Sequence, residues 1–350
     1  HLPMSMQAAF MHGARDMRVQ QSEIPHTAET TAVIKVMSSG VCGSDLHWYA
    51  VRPYPEPTVL GHEVSGEIVE IGPGLEGIRE GDRVCVDLTR HYACGVCSAC
   101  SSGAYFHCPN KARVPWGGGF AEYMEVKGLG IHPLPEALTH EQGAMVEPVA
   151  VGVHACRYGD IKPGDIVLVL GGGTIGLLSL AVAKIFGAKR AYIVAKYDVQ
   201  VEMAEAMGAD GVIRLGTGDL AHQVGDISGG EPIDTVIETV GGSASTIDQA
   251  VRVVKPEGKV VVTGVFPNPV PINLEGALEK EAKIIFSVCY SAENGTHDYE
   301  VACDLIASGK VNPTQLITHR FPLNQTPEAF ETALDKTTGS VKAMINVSAS

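Results

Sequence analysis

No stretch of this 350-residue sequence is apolar over the roughly 18 residues that a membrane-crossing helix requires. The N-terminus, HLPMSMQAAF, lacks the basic start and apolar core of a secretory signal. A cytoplasmic address is therefore expected, with His1–Pro3 read as extra residues ahead of a native start at Met4 or Met6. Positive charge is also scarce: Lys and Arg number 26 against 40 Asp and Glu, a formal charge of −14, and no basic cluster interrupts the excess of acid. Such a chain repels phosphate backbones and anionic lipid, which argues against nucleic-acid and membrane partners. Low-complexity segments and fixed-period repeats are absent. Cysteine is sparse, nine in all, yet four lie between Cys94 and Cys108 with the spacing C-x2-C-x2-C-x7-C. In a reducing compartment a disulfide staple is a poor account of that cluster, which leaves a metal site or a redox pair.

What is present divides the chain in two. Its length favours two domains over one. The first part reads as strands and loops: TAVIKVM (Thr31–Met37), HEVSGEIVEIG (His62–Gly72), GDRVCVD (Gly81–Asp87) and the turn and strand of PWGGGFAEYMEV carry β-branched content and partial two-residue alternation. After about residue 150 the character changes. DIVLVLGGGTIGLLSLAVAKIFGA (Asp165–Ala188) is an apolar run, a glycine turn and a helix-length apolar stretch, the pattern of a buried parallel strand feeding a helix. RAYIVA before VQVEMAEAMGA and IDTVIETV before SASTIDQAVRVV repeat it, and GKVVVTGVF and KIIFSV add two strands. Alternating strands and helices predict a doubly wound parallel sheet. HDYEVACDLIASGK and TPEAFETALDKT then read as helices and VKAMINV as a closing strand.

Gly171, Gly173 and Gly176 form G-x-G-x-x-G between that strand and that helix. The first glycine makes the tight turn, the second admits a pyrophosphate, and the third lets helix and strand approach. The phosphates would sit on the helix N-terminus, whose free N–H groups favour anions. Upstream, SGVCGSDLHWY and LGHEVSGEIVEIG supply Cys42, His62 and Glu63, a thiolate–imidazole–carboxylate set of zinc type; three protein ligands and an open position mark a catalytic site.

With GVCGSD, GHEVSGEIVEIG, the four-cysteine segment, MVEPVAVGVHAC and GGGTIG in this order, the sequence resembles the zinc-dependent medium-chain alcohol dehydrogenases. The likeness is greatest to their polyol branch of sorbitol and butanediol dehydrogenases, over about residues 7–347. The resemblance implies a mostly β, GroES-like catalytic domain (1–155 and 290–350) and a Rossmann dinucleotide-binding domain (156–289). It implies catalytic zinc held by Cys42 and His62, with Glu63 as a nearby carboxylate, a ligand in some states and behind the ligands in others. Glu147, in MVEPV, would bind the metal directly or through a water. Ser44 would take the alcohol proton and His47 would pass it outward. Cys94, Cys97, Cys100 and Cys108 would hold a second, structural zinc in a closed tetrahedral site. Gly171, Gly173, Thr174, Ile175, Gly176, Ala195, Lys196, Val240 and Val265 would contact the cofactor. Cys85, Cys156, Cys289 and Cys303 read as packing.

The reaction implied is hydride transfer between a secondary alcohol, diol, polyol or hydroxyketone and a nicotinamide cofactor, in a homo-oligomer, either tetramer or dimer. Where sorbitol members carry an Arg-Tyr pair, this sequence aligns Ser287 and Val288, with Tyr290 close by, which leans away from a sorbitol-like polyol. Trp48 and Tyr49 are candidates to line the pocket. NADP is expected over NAD, because Ala195 replaces the ribose-binding acid after the second Rossmann strand and Lys196 follows it. Asp198, three residues on, is the one carboxylate placed to restore a ribose contact. The alternatives are a primary-alcohol dehydrogenase or aldehyde reductase, and a non-catalytic zinc-binding regulator.

Overall fold

Thr31–Gly40 and Glu63–Ile71, both rich in β-branched residues, pair antiparallel through most of their length. Alternate residues of the two, Ile34, Val36, Val64 and Ile68 among them, bury their side chains with Val84, Val86 and Leu88. The computed structural model describes residues 2–51, 57–111 and 116–347; the expected turn at PWGGGF opens at Pro115, outside the described residues. The chain forms two units, His1–Glu147 with Ser291–Ser350, and Pro148–Tyr290.

In the first unit the strand order is Ile317–Phe321, Lys342–Asn346, Thr31–Gly40, Glu63–Ile71, Arg83–Val86, Ile131–Pro133, with Tyr123–Lys127 also paired to Thr31–Gly40. All of these pairings are antiparallel except the one between the first two strands. Two registers position the site below. Gly40 stands opposite Glu63 on one side and opposite Met344 on the other. The C-terminal strand, beginning at Lys342, thus returns to the sheet beside the strand that ends just before Cys42. A smaller sheet pairs Ser5–Gly13 with Asp16–Glu23 and Thr58–Val59.

The second unit is a six-stranded parallel sheet in the order Gly211–Arg214, Arg190–Ala195, Ile166–Leu170, Ile233–Glu238, Val254–Val262, Lys283–Phe286. That order, 3-2-1-4-5-6 along the chain, is the doubly wound dinucleotide-binding arrangement. All five residues of Ile166–Leu170 are buried, as a central strand covered on both faces requires. The edge strand Gly211–Arg214 and the helix Leu220–Ser228 go beyond what periodicity marked; four residues with one buried side chain are too short a signal. The expected division at 155/156 and the observed one at 147/148 both fall inside the helix Val146–Tyr158. The unit instead begins at Pro148, since Gly152 lies against the backbone of Leu178–Ser179 and the Cys156 thiol faces the Ser179 carbonyl.

Two histidines of the first unit are held neutral. Burial pushes His91 down to about 4, and its Nδ1 accepts the Lys127 N–H at 2.9 Å. Burial likewise takes His297 to about 4, with Arg90 adding to the effect. A folded-state value below the unfolded value of about 6.5 means that the unfolded chain binds more protons, so stability is lost as pH falls from there towards 4. Thermal melting between pH 7 and pH 4.5 should therefore show a steep loss. His91→Asn, which keeps an acceptor near Nδ1 and cannot titrate, should flatten it, and an unchanged slope would acquit His91.

Candidate metal centre and dinucleotide site

Cys42 follows the strand Thr31–Gly40, and His62 and Glu63 open the strand Glu63–Ile71. A ligand atom from each of the three lies within 4.8 Å of those of the other two. Asp45, on the helix Gly43–Val51, stands behind them: one carboxylate oxygen accepts the Cys42 N–H at 2.9 Å and the other is 3.4 Å from His62 Nδ1. That contact fixes the tautomer and leaves Nε2 to a metal, as metal-bound imidazoles require. Asp45 was not singled out from the sequence, although GVCGSD contains it. Burial opposes the His62 imidazolium, yet the charges of Asp45 and Cys42 hold its pKa well above the ordinary value. A site that raises an imidazole in this way is one whose field seeks a cation.

Glu63 is fully buried, and Lys342 Nζ donates to both its oxygens, at 2.9 and 2.7 Å, and to the Val41 carbonyl at 3.0 Å. Gly40 is required beneath this pair, since a Cβ there would stand 2.1 Å from Glu63 Oε2. Glu63 is thus both within ligand range and clamped. Glu147, in the first turn of Val146–Tyr158, is buried too; burial pushes it up to about 8, with His62 opposing and Glu63 reinforcing the shift. It lies near this cluster, outside the group of three ligand atoms that converge. Ser44 and His47 share the exposed side of the helix Gly43–Val51. Tyr49 belongs to the core cluster around Phe330, with Trp48 partly buried against it, and the Tyr49 hydroxyl donates to Glu331 Oε1 at 2.5 Å, so Tyr49 is not free to line a pocket.

In the second cysteine set the thiols converge within 4.8 Å, with Cys97 Sγ 3.5 Å from Cys100 Sγ and 3.9 Å from Cys108 Sγ. Four sulfurs about 2.3 Å from one zinc ion stand about 3.8 Å apart in a tetrahedron. A disulfide would need about 2.05 Å, so these spacings fit a closed metal site and exclude a bridge. N–H groups of Val96 and Cys97 and the Asn110 amide lower Cys94 to about 6, while burial raises Cys100 to about 12, a cost that a bound cation would offset.

In the second unit Gly171 adopts φ +109°, and a Cβ at Gly176 would meet the Gly171 carbonyl oxygen at 1.9 Å. Gly173 caps the helix Thr174–Ile185 with nothing within 4 Å of where a Cβ would be, so a ligand can approach the backbone there. Val240 and Val265, 51% and 73% exposed, stand on the loops after Ile233–Glu238 and Val254–Val262. Glu238, which the sequence did not flag, braces the first loop from behind: Oε1 accepts the N–H groups of Val240 (2.7 Å) and Gly241 (2.9 Å) and the Thr246 hydroxyl (2.8 Å). Gly242 then donates to the Val265 carbonyl at 2.7 Å, tying the two loops together. Ala195 is buried and Lys196 exposed.

The clamp on Glu63 yields a prediction. Lys342→Met leaves a buried carboxylate uncompensated, which should cost about 3–5 kcal/mol in denaturant unfolding. Adding Glu63→Gln to Lys342→Met should restore much of that. If the double variant is as unstable as the single one, lost packing rather than the ion pair is responsible.

Comparison with known proteins follows the same lines. The alcohol dehydrogenase GroES-like domain family matches residues 28–136, and the zinc-binding dehydrogenase family matches residues 174–308. Sorbitol dehydrogenase of Bacillus subtilis is 31% identical over 98% of this chain and 98% of its own length. L-threonine 3-dehydrogenase of Pyrococcus horikoshii is 34% identical over 92% of this chain and 93% of its own. The structure of a zinc-binding dehydrogenase from Sinorhizobium meliloti bound to NADP superimposes with a TM-score of 0.86 at 29% identity, covering 98% of this chain and 100% of that one. With both family matches in order, full-length relatives and the two ligand sets in place, the chain belongs to the zinc-binding alcohol dehydrogenases, nicotinamide-dependent oxidoreductases of the polyol dehydrogenase kind.

Proposed function

We propose that this enzyme carries hydride between a secondary alcohol, as a diol, polyol or hydroxyketone, and NADP, using one catalytic and one structural zinc per chain. The convergence of Cys42, His62 and Glu63 in front of Asp45 carries the reading. The relatives named above act on sorbitol and on carbon 3 of threonine, which bears a secondary hydroxyl. Cys42 and His62 would hold the metal, Glu147 would complete the set directly or through a water, and Glu63 stays with Lys342 until a ligand is exchanged. Bound there, zinc supplies Lewis acidity to a substrate oxygen. Ser44 accepts the alcohol proton and His47 hands it to solvent, a route supported by their shared exposed face on Gly43–Val51. Asp45 keeps His62 oriented throughout.

Ala195 and Lys196 support NADP: a buried methyl offers no carboxylate to repel a 2′-phosphate, and an exposed ammonium beside it attracts one. Leu274 and Leu278 on the helix Leu274–Glu279 and Phe286 at the end of the edge strand, each 68% or more exposed, support a homo-oligomer, dimer or tetramer. The two thiol-containing ligand sets suit a reducing cytoplasm. Among the described residues no helix is long and apolar enough to cross a membrane.

Metal analysis of protein purified without chelator should give close to two zinc ions per chain. Cys100→Ser should lower both zinc content and melting temperature; a fully stable, zinc-replete variant would refute the structural site. Kinetics on secondary diols, polyols and primary alcohols with both cofactors test the reaction. Cys42→Ser or His62→Ala should abolish turnover but leave reduced-cofactor fluorescence enhancement intact, and Ser44→Ala should slow turnover by about 10²-fold or more at neutral pH. Equal rates on primary alcohols, or an active Cys42→Ser, would sink the proposal.

A further inference from the structure

Resting on the NADP reading, we infer that Arg214 is a second binding residue for the cofactor's 2′-phosphate and that Asp198 competes with that phosphate for it. Arg214 ends the edge strand Gly211–Arg214, in register directly opposite Ala195. Its Nη1 donates to Asp198 Oδ1 at 2.5 Å. Asp198 opens the helix Asp198–Ala206, two residues after Lys196, so this contact places the guanidinium over the turn that carries the lysine. Two other side chains at the turn offer no charge to a phosphate. The Ala195 methyl lies against Gly172, and Gln200 Oε1 accepts the N–H groups of Lys196 (3.0 Å) and Tyr197 (3.3 Å). The charged groups that the turn presents to solvent are one ammonium, one guanidinium 40% exposed and one carboxylate 88% exposed.

An ion pair this exposed is worth little, so a stronger anion displaces the carboxylate. A phosphomonoester brings close to two negative charges and three acceptor oxygens, and the planar guanidinium meets it with two parallel N–H donors where Lys196 offers a point charge. Asp198 then works against NADP twice, by occupying Arg214 in the free enzyme and by repelling the phosphate once it is seated. With NAD there is no phosphate and the pair persists. The opposite role for Asp198, acceptor of the ribose hydroxyls, would give effects of opposite sign.

Adenosine 2′,5′-bisphosphate and adenosine 5′-monophosphate, titrated calorimetrically into the zinc-loaded full-length chain, separate these cases. Wild type should bind the bisphosphate more tightly. Arg214→Gln should weaken it about ten-fold while moving the monophosphate less than about two-fold, and should reduce the salt dependence of bisphosphate binding. Asp198→Asn should tighten the bisphosphate several-fold and leave the monophosphate alone. A wild type that favours the bisphosphate with an unresponsive Arg214→Gln overturns the role of Arg214 and leaves the NADP reading standing. A wild type without that preference overturns the NADP reading itself. Weaker monophosphate binding in Asp198→Asn makes the residue a ribose acceptor and overturns the competition.

Discussion

Too much negative charge in one buried corner is the constraint on which the first unit turns. Asp45, Glu63 and Glu147 are all buried around the Cys42 thiol, and Lys342 is the cation built in among them. Removing carboxylates from water costs several kcal/mol each unless something positive or hydrogen-bonding replaces it. The strain is legible in the neighbours: Glu147 is pushed up to about 8, and His62 is drawn well above its ordinary value. A divalent cation among Cys42, His62 and the carboxylates would relieve what Lys342 alone cannot. The same constraint explains the chain path. Lys342 reaches Glu63 because the last strand returns beside Thr31–Gly40, and the pair fits because residue 40 has no side chain.

The two cysteine-bearing sites solve different problems with similar ligands. Around Cys94–Cys108 four sulfurs close on one another at spacings suited to a single tetrahedral ion, leaving no position for a substrate. Around Cys42 only three ligand atoms converge, and the nearby Ser44 and His47 face outward. Metal binding in the first would be folding energy for a segment with little apolar core of its own. In the second it would be chemistry.

The second unit spends its polar groups at the carboxyl ends of its strands. Gly171, Gly173 and Gly176 clear space for backbone and ligand, and Glu238 uses one oxygen to hold the Val240 loop from beneath. Val240 and Val265 stand exposed on the two loops that Gly242 ties together. At the end of the second strand, Arg214 of the neighbouring edge strand reaches Asp198, two residues after Lys196.

Local chemistry was written plainly enough in the sequence to be read. The glycine motif between a strand and a helix, the four-cysteine spacing and the Cys42–His62–Glu63 set depend on residue type at short range, and the two domain classes follow from hydrophobic periods of two and of alternating strand and helix. Other features exist only because distant segments meet. Lys342 lies 279 residues from the glutamate it clamps, and no pattern links them. Glu238 looked like one more residue of an apolar strand until the loop folded over it. Tyr49, read as a pocket candidate from its place beside Cys42, is a core residue because the helix turns it towards Phe330. Arg214 sits on a four-residue strand too short to be seen in the sequence, and strand register alone put it opposite Ala195. Periodicity reports which face of an element is buried; which distant charge waits on the other side is decided only when the sheets close.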